Sequence, residues 1–245
     1  MASTDAVAEP EVLSLGPRSR TRRPGRGSVA AVVVLILLAA MVGGWWLWLK
    51  PAPDFTLDAL QDVYSGMVRS DGLNDLYTLE PGTIPEGEAV TVTPAECRPL
   101  FDTTEYNQFP SNAVDGVSTY WFGDPSTVSL LTVRYPDRST ARRAYASVES
   151  ALRACAESSI RLRADRPAVR VIPTEAMAVP SADSQLGYTY SPQARSRFAI
   201  HVMRYANTIT WQYRYDSSAT SYSALPATQL MTSLVTQMQA VQEQL

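Results

Sequence analysis

The side chains able to do acid–base or nucleophilic chemistry near neutral pH are few: one histidine, His201, and two cysteines, Cys97 and Cys155, among 245 residues. An imidazole works as a general base only beside a positioned nucleophile. None of the patterns that supply one is present: there is no G-x-S-x-G, no H-E-x-x-H, no phosphate-binding glycine loop and no Rossmann glycine pattern. His201 stands in an alternating segment, where it faces Gln212 if the segment folds back on itself, and such a histidine is far more often structural than catalytic. A Cys/His zinc cluster cannot be assembled from one histidine, so no metal site is expected. Serines are plentiful, but abundance is not a constellation, and an envelope hydrolase built on His201 ranks third among the functional readings.

The carboxylate pairs Asp58 with Asp62 and Asp71 with Asp75 lie on or beside a helix at solvated spacings and are expected to be surface charges. The run Ser118, Thr119, Tyr120, Trp121, Phe122 could line a carbohydrate or peptidoglycan cleft, although burial in a core is favoured by the area these rings remove from water. The formal net charge is −3, and five of the 21 basic residues precede residue 28, so the remainder is acidic and offers no footprint for nucleic acid. No catalytic residue and no cofactor is expected.

The elements that must position these groups follow from periodicity. Leu57, Leu60, Val63, Tyr64, Met67 and Val68 predict an amphipathic helix over 56–69. At Thr93-Pro94-Ala95-Glu96 a short helix is expected to start, with Thr93 as its cap, Pro94 at its first position and Glu96 reaching back, which places Cys97 in its first turns. Residues 116–123 and 126–135 predict two strands joined at Gly123-Asp124-Pro125. A long helix then begins near Asp137 or Ser139, with Ala141, Tyr145, Val148, Leu152 and Cys155 along one face. Residues 160–163 and 169–172, with arginines at alternate positions, suit partly exposed strands.

Residues 198–215 predict a hairpin with Ala206-Asn207 at its turn, or a four-residue loop of the same parity. Val202 then opposes Trp211, Ile200 opposes Tyr213 and Phe198 opposes Tyr215 on one face, with Met203 opposite Thr210 on the other. A closing helix from about Pro226 carries Leu230, Leu234, Met238 and Val241 towards the sheet.

In front of all this stand 22 residues, 28–49, without a charge. At about 1.5 Å of rise per residue they suffice to cross a hydrocarbon core of about 30 Å. Arg18, Arg20, Arg22, Arg23 and Arg26 precede the run, and Trp45, Trp46 and Trp48 crowd its far end. The positive-inside rule therefore predicts a disordered cytoplasmic tail (1–27), an uncleaved signal-anchor (28–49), a stiff linker (50–55) and an extracytoplasmic domain (56–245) on the cell membrane. An even cysteine count in such a compartment favours a disulfide over free thiols, and closing a loop of about 58 residues would stabilise by roughly 4 kcal/mol.

The order of parts resembles a known family. A basic tail and one span are followed by Pro94-Ala-Glu-Cys97, paired strands, Val133-Arg-Tyr-Pro-Asp137, Ala141-Arg-Arg-Ala-Tyr145 and Leu152-Arg-Ala-Cys155. This is similar to the PknH-like extracellular sensor domain, found on receptor serine/threonine kinases and on stand-alone lipoproteins and membrane proteins of the cell envelope. The resemblance covers roughly residues 55–245. It implies a Cys97–Cys155 bridge and an α+β fold in which a twisted antiparallel sheet packs against helices, with a cleft taken as the ligand site. The chain departs from the family in lacking a second cysteine pair in its C-terminal half, and no kinase accompanies the domain, so a signal would pass through a partner.

The expectation is therefore a single-pass membrane protein with a non-enzymatic extracytoplasmic sensor or ligand-binding domain. Its partners would be the membrane and either another envelope protein or a small ligand. The alternative is a structural or accessory subunit of an envelope or secretion assembly, using the domain as a protein interface.

Overall fold

Strict alternation of apolar residues organises the centre of the molecule. In the computed structural model, β8 (Ser196–Tyr205) and β9 (Thr208–Asp216) pair antiparallel across Ala206-Asn207, with Val202 opposite Trp211, Ile200 opposite Tyr213 and His201 opposite Gln212. The expected register is the observed one, with the two-residue turn. The left-handed residue is Ala206, at φ 52°, and not Asn207. A type II′ turn needs a positive φ at its first central position only. Asp183 holds Ala206 there by accepting its N–H at 3.0 Å.

The structure describes residues 53–71, 76–81, 90–103, 108–122, 126–163, 167–193, 196–216 and 225–245. The tail, the candidate span and most of the linker lie outside them, as do the expected turn at 123–125 and Asp75. Among the described residues no helix is long and apolar enough to cross a membrane.

The hairpin grows into a seven-stranded sheet among the described residues, antiparallel throughout. The expected strands are β2 (Asp115–Phe122) and β3 (Ser126–Arg134), and β3 pairs with β9. Two strands were not expected: β1 (Tyr77–Leu79) at one edge, and β7 (Ser184–Gln193) beside β8. The stretch expected at 169–172 is divided. β5 (Val169–Arg170) pairs with β4 (Ser159–Ile160) in a separate ribbon, and β6 (Ile172–Thr174) forms the other edge of the main sheet, giving the order β1-β2-β3-β9-β8-β7-β6.

Both faces of the sheet are covered. On one, α1 (Leu57–Asp71) and α3 (Leu225–Gln242) bury Leu60, Val63, Tyr64 and Met67 with Leu230, Leu234 and Met238 against Val117, Leu130 and Met203. A hydroxyl chain runs through this layer from Tyr64 to Thr132, and from Thr132 to Thr210 at 2.7 Å. On the other face, α2 (Arg138–Cys155) lays Ala141, Tyr145, Val148, Leu152 and Cys155 over Leu131, Val133, Ile200, Val202 and Trp211. Burying such side chains contributes about 1.5–3 kcal/mol for each large one, which is why the stripe is the helix's main anchor. Asp137 caps α2 by accepting the Thr140 N–H at 2.8 Å, and this bond together with the Ser139 hydroxyl lowers its carboxyl to about 2.

Cys97 and Cys155 are bonded, with Cα atoms 5.8 Å apart, and the bridge ties α2 to a short 3-10 helix, Ala95–Leu100. The start of that helix differs from the expectation. Pro94 is the cap and makes no side-chain capping bond, while Thr93 exchanges both backbone hydrogen bonds with Arg161 at 2.8 and 2.9 Å. Committed to that bridge, Thr93 is strand-like and cannot cap.

The entry of the chain into the domain is clamped. Asn207 accepts the Phe55 N–H at 2.8 Å and donates to Phe55 O at 3.1 Å and Tyr135 O at 3.0 Å. Gln242 donates to Pro53 O at 2.6 Å, and Arg138 pairs with Asp54 at 3.0 Å.

Candidate functional site

The bridge holds the 3-10 helix against the C-terminal end of α2, and beside its N-terminal half a cleft of about 980 Å³ opens. This is at the upper end of the range of ligand pockets. One wall is the 3-10 helix, with Ala95, Arg98 and Pro99; another is α2, with Thr140, Arg143, Ala144, Ser147 and Val148; a third is Pro110, Ser111 and Asn112. Pro136 also lines it, as do Asp102, Tyr135 and Trp211.

Local structure explains how the last three reach one place. Tyr135 directly follows β3, and its N–H donates to Asn207 O at 2.9 Å. Trp211 points from β9 to the α2 side because Val202 and Ile209, on the same parity, do so. Asp102 follows the 3-10 helix and sits between two anchors, since Tyr188 donates to Leu100 O at 2.7 Å and Tyr213 donates to Thr103 at 2.6 Å. The first holds the Leu100 backbone and the second the Thr103 side-chain hydroxyl, on either side of the carboxylate.

The polar groups of the cleft are only partly matched by protein. Asp102 Oδ2 accepts from Ser111 at 3.2 Å, while its Oδ1 is buried without a hydrogen-bond donor and the Arg98 guanidinium lies 4.0 Å away. Trp211 is 1% exposed, and its Nε1–H is buried without an acceptor. Burial, and then the Asp102 charge, push the Tyr135 hydroxyl well above its ordinary range, so it is a neutral donor or acceptor. Arg143 donates to the hydroxyls of Ser139 at 3.2 Å and Thr140 at 2.9 Å, both neutral. Such an arrangement can hold a polar molecule; its hydroxyl–carboxylate contact, Ser111 to Asp102, is 3.2 Å long, and among the described residues no histidine or cysteine lines it.

His201 is elsewhere. Alternation places it on the α1/α3 side of the sheet, opposite to Trp211. There it lines a smaller cavity of about 370 Å³ with Thr174, Glu175, Thr189 and Arg197, and among the described residues no serine lines that cavity. Burial lowers its imidazole to about 4, so it is neutral at pH 7. Asp58 and Asp62 are exposed on α1, as expected. Ser118 and Thr119 are buried, and Tyr120 packs edge-on against Tyr77 at 5.8 Å; none of them lines the large cleft, and the side chains of Trp121, Phe122 and Asp71 lie outside the described ones. The sequence reading missed Asp102, Arg98, Arg143 and Tyr135 as a group and took Trp211 for core alone. Among the described residues no cluster of three His, Cys, Asp or Glu could hold a metal.

A comparison with curated proteins gives no match. Among solved structures the fold is similar to the crystal structure of the extracellular domain of PknH from Mycobacterium tuberculosis, at a TM-score of 0.54 and 12% identity, covering 78% of this chain and 100% of that one. An uncharacterized protein from Mycobacterium smegmatis matches at a TM-score of 0.43 and 12% identity, covering 77% of this chain and 99% of that one. The family model for the PknH-like extracellular domain matches residues 59–240. With the sheet, its helices and most of the chain inside that match, the protein belongs to the PknH-like extracellular domain family.

Proposed function

We propose that the protein is a single-pass membrane protein of the cell envelope whose extracytoplasmic domain binds a small ligand as a non-enzymatic sensor. The observation that carries this reading is the 980 Å³ cleft, whose lining includes Trp211, with a buried indole N–H that has no acceptor, and Asp102, with a buried carboxylate oxygen that has no hydrogen-bond donor and only a 4.0 Å ion pair to Arg98. Leaving such groups desolvated and without a hydrogen bond costs about 1–3 kcal/mol each, a cost that a polar ligand offsets. The uncharged run at 28–49, with its arginine flank, supports the anchor and the orientation.

The accessory-subunit reading calls for an exposed apolar patch. Among the described residues the exposed large apolar side chains are Tyr77, Val114, Ile172, Tyr215 and Leu245, and Tyr77 and Ile172 sit on opposite edge strands of the sheet. The test is to pass the small-molecule fraction of an envelope extract over the immobilised full chain in detergent, beside a Ser147→Trp variant that fills the cleft from an exposed wall position. The native chain should retain a compound that the variant releases. Equal retention by the two would overturn the reading.

A further inference from the structure

The lining of the cleft is specific enough to name a class of ligand, an inference that rests on the cleft being the ligand site. Among the described residues its lining carries small apolar groups, Ala95, Ala144, Val148 and three prolines, with two aromatic rings that bear polar atoms, Tyr135 and Trp211, and no Leu, Ile, Met or Phe. An acyl chain would gain little there, because apolar area is what drives its burial and the two rings are themselves almost fully buried. The remaining walls offer hydroxyls and an amide, from Ser111, Asn112, Thr140 and Ser147.

The charges favour an anion. Among the described residues the lining carries two guanidiniums, Arg98 and Arg143, and one carboxylate, Asp102. Arg98 is already within 4.0 Å of Asp102, whereas Arg143 is bonded to neutral hydroxyls. Elsewhere in the lining the requirement is different: Trp211 offers a buried donor with no acceptor, and Asp102 Oδ1 a buried acceptor with no hydrogen-bond donor and the Arg98 guanidinium 4.0 Å away. A hydroxyl group satisfies both, since it donates and accepts, and adjacent hydroxyls on one ring reach two such groups at once.

We propose that the cleft between the 3-10 helix and α2 binds a hydroxyl-bearing anion, a sugar acid or sugar phosphate, with ring hydroxyls on Trp211 Nε1–H and Asp102 Oδ1 and the anionic group on Arg143. The volume admits more than one sugar ring, so a fragment of an acidic glycan fits the same chemistry.

The test is calorimetric titration of the full chain in detergent with D-glucuronate, glucose 6-phosphate, D-glucose and L-alanine. At least one of the two sugar anions should bind saturably and about tenfold more tightly than glucose, the difference expected of one charge-assisted contact. Which anion binds better distinguishes a carboxylate ligand from a phosphate. Arg143→Gln, at an exposed position, should bring anion and glucose to within about threefold of each other. Trp211→Phe should weaken both by a similar factor and leave their ratio unchanged. If that variant does not fold, Arg143→Gln still decides.

The proposal is overturned by absence of saturable binding of both sugar anions, by glucose binding as well as they do, by tighter binding of alanine, or by an unchanged preference in Arg143→Gln. If the envelope extract yields a compound held by the native cleft and released by Ser147→Trp while the sugar anions do not bind, the ligand class is wrong and the sensor reading stands. If neither binds, both fail.

Discussion

Replacing Asn207 by alanine should be among the most damaging single changes outside the hydrophobic core, because of what its side chain joins. Asn207 is fully buried and makes three bonds of 2.8–3.1 Å to backbone groups of Phe55 and Tyr135. Alanine fits the turn, since Asn207 does not have a positive φ, so the loss comes from the bonds. It leaves one buried N–H and two carbonyls without their partners, at about 1–3 kcal/mol each, partly recovered by relaxation. We expect a loss of about 3–5 kcal/mol, a large share of the stability of an ordinary domain. The assay is guanidinium unfolding of residues 52–245, a compact unit, followed by tryptophan fluorescence. The midpoint should fall with little change in slope. Asn207→Gly is the control, and should lose about as much, within roughly 1 kcal/mol. A loss below about 1 kcal/mol for the alanine variant, or near-native stability for the glycine variant, would refute the argument.

Three other predictions concern the same unit. Replacing Cys97 and Cys155 together by alanine should cost about 4 kcal/mol, from a closed loop of 58 residues, measured as a shift of the unfolding midpoint under identical buffer. Because burial lowers His201 from 6.5 to about 4, the unfolded chain binds a proton between those values that the folded chain does not. Stability is therefore full above pH 6.5 and falls, by roughly 3 kcal/mol in all, as pH drops towards 4; His201→Gln should flatten that limb. Asp137, lowered from 3.8 to about 2, titrates below that window and does not confuse it. Finally, a Cβ on Gly116 would stand 2.7 Å from the Thr132 backbone oxygen across the β2–β3 pair, so Gly116→Ala should destabilise by about 1–3 kcal/mol in the same unfolding assay.

Much of the fold was legible because several residues carried the same message. In the β8–β9 hairpin, alternation specified both faces, and a slip of one residue would have exposed Trp211, Val202 and Ile200 together. The α2 stripe was legible for the same reason. β7 was not: Gly187 lies in its middle and Pro192 near its end, residues that weaken strand propensity, and pairing with β8 overrides them. Gly187 is tolerated there because a side chain would meet Thr174, Glu175 and His201. β1, with only three residues, two of them exposed, carries no period to detect. The 3-10 helix start misled because Thr93-Pro94-Ala95-Glu96 is a good local capping pattern, and only the distant partner Arg161 shows that Thr93 is taken.

The cleft was illegible for a different reason. Asp102 with Arg98 looks like an exposed i, i+4 pair, Tyr135 like the end of a strand, and Trp211 like core. Each assignment is locally correct. What makes them a site is the meeting of β3, β9 and the 3-10 helix, and no local pattern encodes which donor will be left without an acceptor after packing.

The most direct measurement of the central claim is hydrogen–deuterium exchange of the full chain in membrane vesicles, with and without the small-molecule fraction of the envelope. Binding in the cleft predicts slower exchange in residues 95–102, 110–112 and 135–148, the segments that contain most of its lining. Unchanged exchange in those segments, or protection confined to the edge strands Tyr77–Leu79 and Ile172–Thr174, would contradict the account.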